Sequence, residues 1–444
     1  MKIIIIGGVA AGMSAAVKAK KIAKDAEIVI YEKTDVVSWG ACGLPYYVGD
    51  FFKDSYQLIA RPIGKLRETG INININHEVL SLDVKNKTVK VKNLETGEEF
   101  EDTYDKLMIA TGASSIIPPI RNVKLKNVFT LKDFKDGILL KEAALKGSVK
   151  EVVIIGAGYI GIEVVEAMKK LGKNVKLIQL DERVLPDSFD KEITDIMEKE
   201  LVKQKVDLHV SEMVKEFEGE SRVLKVVTDK GSYNADLVLI ATGVRPNTAF
   251  LKETGINMLE NGAIVIDEFG ETSIKGIYSA GDCATANHAV TKENVYIPLA
   301  TTANKIGRTV GENLAGERNS FQGTLGSAAV KVMELEAART GISENEAIKK
   351  GLEYKTVFIS DKNQTDYYPG QEDIFVKLIY DASTRVILGG QIVGKKGAVL
   401  RIDVLAAAVF MKMTTHQLGM LDLCYAPPFS RTWDALNVAA NVAK

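Results

Sequence analysis

The sequence predicts an α/β protein built from two Rossmann-like βαβ units, followed by a C-terminal α+β domain. Three observations carry this. An uninterrupted apolar run, Ile3–Ile6, enters the glycine-rich turn Gly7-Gly8-Val9-Ala10-Ala11-Gly12. The same design returns at Glu151–Ile155, which enters Gly156-Ala157-Gly158-Tyr159-Ile160-Gly161. From about residue 323 the texture changes to short strands separated by turn signals, without βαβ spacing.

Size and composition bound the rest. A chain of 444 residues, 46% hydrophobic and 26% charged, is a soluble-type globular protein of two or three domains. A formal charge of -1 gives no electrostatic case for nucleic acid or an acidic membrane surface as partner. No apolar run reaches the roughly 18 residues of a spanning helix. Met1-Lys2 leads directly into Ile3–Ile6, with no signal-peptide pattern, so the expected location is cytoplasmic. The three cysteines, Cys42, Cys283 and Cys424, have no CxxC spacing, and the four histidines are scattered; no metal site is expected.

Taken in order, residues 2–6 form a buried parallel strand, Met13 to about Lys24 a helix, and Ile28–Tyr31 a second strand ending at Glu32. This is a dinucleotide-binding layout: glycines allow the tight turn, the helix N-terminus faces a pyrophosphate, and the acid takes ribose hydroxyls. Val9 replaces the middle glycine of the first motif, whereas Gly156, Gly158 and Gly161 complete the second. Two nucleotides in one chain point to electron transfer between them. Ala110-Thr111-Gly112 and Ala241-Thr242-Gly243 each end a strand, expected to be the last strand of its unit turning under its own cofactor. Thr272–Asp282 places a carboxylate at a strand's C-terminal end, where α/β ligands bind.

In the C-terminal part, strands are expected at Ala329–Leu335, Lys355–Ile359, Ile374–Ile379 and Val386–Val393. Asp381–Thr384 reads as a hairpin turn, Ser343–Glu346 as a capping box and Asp403–Gln417 as an apolar helix. The expected domains are residues 1–117 and 246–322 for the first nucleotide unit, 118–245 for the second and 323–444 for an interface domain.

Between the first unit and the rest lies Ser38-Trp39-Gly40-Ala41-Cys42-Gly43-Leu44-Pro45-Tyr46-Tyr47. A lone cysteine flanked by glycines, before a helix-starting Leu-Pro, is a candidate redox thiol. A helix N-terminus beyond it would favour the thiolate needed for disulfide exchange.

These motifs together resemble the two-dinucleotide-binding flavoprotein disulfide reductases, along the whole chain. The resemblance implies FAD on the first fold, with Glu32 on its adenosine ribose and Asp282 on its ribityl chain, and NADH, with NADPH tolerated, on the second. The implied cofactor contacts are Gly7, Gly8, Ala11, Gly12, Glu32, Ala110, Thr111, Gly112, Gly281, Asp282 and Ala300, with Gly156, Gly158, Tyr159, Ile160, Gly161, Glu163 and Gly243. Because the next cysteine after Cys42 is Cys283, the chain resembles the single-cysteine branch: coenzyme A-disulfide reductases, persulfide or polysulfide reductases, NADH oxidases and peroxidases. Peroxidases and water-forming oxidases carry a histidine where this chain has Ala10. Asp366–Gly370 and Leu423–Ser430 resemble coenzyme A-disulfide reductases, in which two tyrosines reach the partner subunit's active site. The corresponding residues are Tyr367 and Tyr425, with Tyr368 as a neighbour able to substitute.

A coenzyme A substrate further implies phosphate-binding cations; Lys18, Lys20 and Lys21 on the first helix and Arg61 are the candidates, with Ser14 and Ser38 as polar contacts. Thr69 stands where some members carry a substrate-binding lysine. Gln179 stands where a ribose-binding acid is expected, with Asp181, Glu182 and Arg183 just beyond. The implied enzyme is a homodimer reducing coenzyme A disulfide or a similar disulfide or persulfide through Cys42. The alternatives are an NADH oxidase reducing O2 through a Cys42 sulfenic acid or the flavin, an NADH-dependent persulfide or polysulfide reductase and, more remotely, a flavin redox sensor or protein electron carrier.

Overall fold

The computed structural model describes residues 1–444. Two all-parallel five-stranded sheets and one antiparallel five-stranded sheet form its frame, with two small three-stranded sheets at the edges. The first parallel sheet contains β1 (Lys2–Ile6), β2 (Glu27–Tyr31) and β3 (Ile71–Asn74), with β4 (Lys106–Ile109) on the other side of β1. Ile3, Ile4 and Ile5 are wholly buried because helices and loops cover both faces, which is why β1 reads as an unbroken apolar run. Helix α1 (Ala10–Ile22) follows β1, starting and ending earlier than Met13–Lys24 because the glycine turn leads into it directly. The short helix α2 (Leu44–Val48) follows Cys42.

The chain then leaves this sheet and builds the second one. Its strands are β5 (Val128–Phe129), β6 (Glu151–Ile155), β7 (Asn174–Ile178), β8 (Asp207–His209) and β9 (Leu237–Ile240), ordered β8-β7-β6-β9-β5. Helices α3 (Phe134–Ala144), α4 (Tyr159–Lys170) and α5 (Lys191–Lys203) belong to it. Strand β10 (Ile277–Ser279) then returns to the first sheet beside β4. Of the strands before the two Ala-Thr-Gly turns, β9 is the last of its sheet in the chain, whereas β4 is followed by β10; in space β4 lies beside β1 and β9 beside β6, and β10 or β5 takes the edge beyond. Helix α6 (Ala300–Leu314) packs lengthwise on α1.

The C-terminal sheet runs β11 (Ala328–Val332), β12 (Leu335–Gly341), β15 (Ile387–Gly394), β14 (Asp373–Asp381), β13 (Tyr354–Lys362). The expected strand Ala329–Leu335 is thus two strands joined by a tight turn, in which Met333 adopts φ 56°. Ser343 caps a short helix, α7 (Glu344–Lys349), in a capping box, as its spacing predicts, and Asp381–Thr384 turns β14 into β15. The apolar helix is α8 (Ala398–Phe410), not Asp403–Gln417; the chain reverses at Lys412, with φ 54°, and Thr414 caps a separate short turn. No helix is long and apolar enough to cross a membrane.

One core crosses these units. Trp39, Leu44, Tyr47 and Val48 from the redox segment share a cluster with Val152, Ile154, Leu177 and Leu239 of the second sheet and Val330, Val332 and Val393 of the third. The wholly buried Lys377 of β14 ties the third sheet to the second unit, with Nζ 2.8 Å from Glu192, 2.6 Å from Glu344 and 3.5 Å from Asp190.

The α1–α6 pair depends on two small-residue contacts. A Cβ at Gly307 would lie 2.5 Å from the carbonyl oxygen of Ala11, and one at Gly311 the same distance from that of Ala15. Gly307→Ala is expected to lower stability by about 1–3 kcal/mol in denaturant unfolding. An unchanged midpoint would show that the helices can separate freely.

Candidate active site

The two glycine turns are built alike. At the first, Gly7 has φ 104°, a Cβ on it would meet the Ala110 carbonyl oxygen at 2.2 Å, and one on Gly12 would meet the Gly7 carbonyl oxygen at 2.0 Å. At the second, Gly156 and Gly161 repeat this against Ala241 and Gly156, at 2.4 and 2.0 Å. The helix N-termini are thereby drawn against the strand ends, where backbone N–H groups favour anions. Behind the first turn the buried Glu32 accepts from Gly8 N at 2.8 Å and from Thr34 N at 2.9 Å. Behind the second, Gln179 Oε1 accepts from Ala157 N at 2.8 Å, and its Nε2 donates to Asp181 at 2.6 Å. Gln179 is the uncharged counterpart of Glu32.

Both turns open onto one cavity of about 3140 Å³. Gly7, Ala11, Glu32, Ala110, Thr111, Gly112, Gly281, Asp282 and Ala300 line one part, with Ala10 in the first turn. Gly156, Gly158, Tyr159, Ile160, Glu163 and Gly243 line another, and Cys42 lines the same cavity. Gly8, Gly12 and Gly161 do not reach the wall. They act behind it, Gly8 by donating to Glu32 and the other two by making room for backbone.

Ser14, Lys18, Lys21, Ser38 and Arg61 also line the cavity. Lys20 does not: its ammonium group turns away and donates to the carbonyls of Lys24 and Ala26. Helix α6 adds Asn304, Lys305 and Arg308. Ser14 donates to Asn304 at 2.7 Å, and Glu312 pairs with Lys18 at 2.9 Å and Arg308 at 3.6 Å. Lys305 and Arg308 carry no motif of their own; the signal that would have found them is Gly307-x-x-x-Gly311, the small-residue spacing that brings α6 onto α1.

Asp282 pairs with Lys132 at 2.7 Å, and its carbonyl accepts from the Tyr296 hydroxyl at 3.0 Å. Both partners lie far from Asp282 in any local motif. Cys283 is buried behind it, within 3.5 Å of the Ile109 carbonyl oxygen, and Cys424 is exposed outside the cavity.

Cys42 sits in a 3₁₀ turn, Ala41–Gly43, that runs into the five-residue α2. Its surface opens to the cavity, yet its thiol is pushed up: the closeness of the walls is the largest cause, then the carboxylates of Glu163 and Asp282, with Lys132 opposing. The expected lowering by a following helix is therefore not what this environment produces. Tyr367 and Tyr425 lie outside their own chain's cavity, largely exposed, with hydroxyls 2.9 Å apart. That bond pushes the Tyr425 phenol up. The protein offers no cluster of metal ligands.

Two nucleotide-type turns and a free thiol on one cavity define a nucleotide-dependent oxidoreductase. Residues 1–307 match the family model described as pyridine nucleotide-disulphide oxidoreductase, and residues 327–436 match that family's dimerisation domain. The chain belongs to this FAD- and NAD(P)H-dependent family. A relative from Pyrococcus horikoshii named NAD(P)H coenzyme A polysulfide/persulfide reductase is 42% identical, over 100% of this chain and 98% of its own. One from Enterococcus faecalis named NADH oxidase is 35% identical, over 100% and 99%. The solved structure of an NAD-dependent persulfide reductase from A. fulgidus superimposes with a TM-score of 0.96 at 36% identity, covering 100% of this chain and 83% of that one.

Burial, with Glu166 nearby, pushes Glu163 up to about 7. A carboxyl whose folded-state pKa lies above its free value weakens folding once ionised, so the cost is absent at low pH and full above about 7. Glu163→Gln is expected to raise stability by up to about 3 kcal/mol near pH 8 and by less than about 1 kcal/mol near pH 5. Equal effects at both pH values in thermal unfolding would contradict the raised pKa.

Proposed function

We propose that the chain is an FAD-dependent NAD(P)H oxidoreductase that reduces coenzyme A disulfide, or a coenzyme A-type disulfide or persulfide, through Cys42. The observation that carries this reading is that Cys42 is the one cysteine on the cavity wall, with Cys283 buried and Cys424 outside. A lone thiol cannot close a disulfide within its own site, so the second sulfur comes from the substrate.

The donor set fits both cofactors. FAD would lie along the first turn, with Glu32 at its ribose and Asp282, paired to Lys132, at its ribityl chain. NAD(P)H would lie along the second, with Gln179 and Asp181 at its ribose. FAD bound there supplies two-electron transfer between reduced nicotinamide and sulfur. Gln179 and Asp181 place no arginine fork at the ribose, which favours NADH while leaving NADPH tolerated. Lys18, Lys21, Lys305, Arg308 and Arg61 provide a cationic wall for the phosphates of coenzyme A, and Ser14 and Ser38 provide hydroxyls. In a homodimer, the exposed Tyr367 and Tyr425 would reach the partner's cavity. Hydrogen-bonded phenols there can orient a substrate sulfur and protonate it as it leaves.

Ala10 in the first turn leaves out the histidine of peroxide-handling relatives, which weighs for sulfur over oxygen. The likeness to the E. faecalis oxidase supports a second reading, O2 reduction at the same site. Comparing NADH-driven thiol release from coenzyme A disulfide or persulfide with oxygen uptake separates the two. Thiol release is expected to dominate, and oxygen uptake that outruns it by far would overturn the sulfur reading. Cys42→Ser is expected to cut thiol release at least about 100-fold with FAD still bound. The double variant Tyr367→Phe, Tyr425→Phe is expected to lower kcat about 100-fold. Wild-type rates in either variant would remove that residue set from the mechanism.

A further inference from the structure

Between β7 and α5 the chain passes along the second glycine turn. Leu185 N donates to the carbonyl oxygen of Ala157 in that turn at 3.0 Å. Leu185 itself has φ 46°, a left-handed conformation that a leucine keeps only where its surroundings impose it. Pro186 and Asp187 then line the cavity with Gly156, Gly158 and Tyr159, while Leu185 and Phe189 on either side of them are buried. Residues 185–190 therefore form a lip on the part of the cavity where the proposed function places NAD(P)H.

The groups that fix this lip come from another domain. Arg339 of β12, Gln391 of β15 and Lys377 of β14 stand in one row across three neighbouring strands, Arg339 in register with Gln391 and Gln391 with Lys377. All three are buried, and none lines the cavity. Arg339 donates to the carbonyl oxygens of Ser188 at 2.9 Å and Asp187 at 3.4 Å, and pairs with Glu346 at 2.7 Å. Gln391 bonds Asp190 twice: its Oε1 accepts from Asp190 N at 2.8 Å, and its Nε2 donates to the carboxylate at 2.7 Å. The same carboxylate accepts from Glu344 N at 3.0 Å, and Lys377 Nζ lies 3.5 Å from it. Elsewhere the same sheet packs on the second unit through apolar side chains, Val330, Val332 and Val393. Burying a guanidinium, an amide and an ammonium in place of such residues costs desolvation, which simple packing does not require.

We propose that the Arg339–Gln391–Lys377 row is the positioning element for NAD(P)H. It holds residues 185–190 in the conformation that receives the nucleotide, so affinity at the second turn is set by three residues outside the cavity. They act through the backbone of Asp187 and Ser188 and through Asp190, not by touching the nucleotide. A lip that is already fixed does not have to be ordered when the nucleotide arrives, and the ordering cost avoided appears as affinity.

The inference rests on NAD(P)H lying along the second turn. It is tested by calorimetric titration of oxidised, FAD-loaded enzyme with NAD+, which binds without turnover, and by hydrogen exchange of the peptide covering residues 184–190. Gln391→Leu is expected to weaken NAD+ binding about 10-fold or more, and Arg339→Lys, which keeps the charge but loses the fork on two carbonyls, about 3-fold or more. Both are expected to speed exchange in 184–190. Ile392→Val, on the opposite face of β15 in the core with Ile402 and Leu405 of α8, is expected to lower stability and leave both readings at wild-type values. Unchanged affinity in both row variants, or equal weakening in Ile392→Val, would overturn the inference. Gly158→Ala keeps this failure apart from failure of the cofactor placement, because a Cβ there meets no protein atom within 4 Å yet would stand in the path of a nucleotide on the turn. Weaker NAD+ binding is expected in that variant. Unchanged binding would overturn the placement and the inference with it, whereas weakening in Gly158→Ala but not in the row variants would overturn the inference alone.

Discussion

At two places in the chain a strand turns into a helix where there is no room for a side chain. Gly7 and Gly12 at one, Gly156 and Gly161 at the other, let backbone lie against backbone at distances that any Cβ would forbid. That close approach brings each helix N-terminus to the end of its sheet, and it sets Glu32 and Gln179 behind the turns in matching positions. Both turns line the one cavity, as do Glu32 and Gln179 behind them.

The redox segment belongs in sequence to the first unit but in packing to the second. Trp39, Leu44, Tyr47 and Val48 lie in the core that joins the second sheet to the C-terminal sheet. Cys42 is therefore held at the junction by apolar contacts on both sides of it, while its own side chain faces the cavity. The nearness of the cavity walls pushes the thiol up, and the carboxylates of Glu163 and Asp282 push it further, so the fold alone does not make it a thiolate. Activation has to come from a proton acceptor or from the bound substrate and cofactors.

Features carried by local pattern were legible in the sequence. The glycine turns, the acid at Glu32, the lone Cys42, the capping box at Ser343 and the turn at Asp381 each depend on a few adjacent residues, and each stands where expected. Features set by tertiary contact were not. Lys132 meets Asp282 only because the chain crosses between units, and Lys305 and Arg308 reach the cavity only because Gly307 and Gly311 seat α6 on α1. The boundaries of α8 and of β11 and β12 were missed because Lys412 and Met333 take left-handed turns that their residue types do not announce. The upward shift of Cys42 comes first from the closeness of the cavity walls and then from Glu163 and Asp282, groups that are remote in sequence.

The central claim is that Cys42 forms a covalent sulfur bond with its substrate while the other two cysteines stand aside. Peptide mass spectrometry of the FAD-loaded protein after exposure to coenzyme A disulfide tests it directly. The account predicts a coenzyme A adduct on the Cys42 peptide that is released by NADH and absent from the Cys283 peptide. An unmodified Cys42, or an adduct on Cys424 alone, would contradict it.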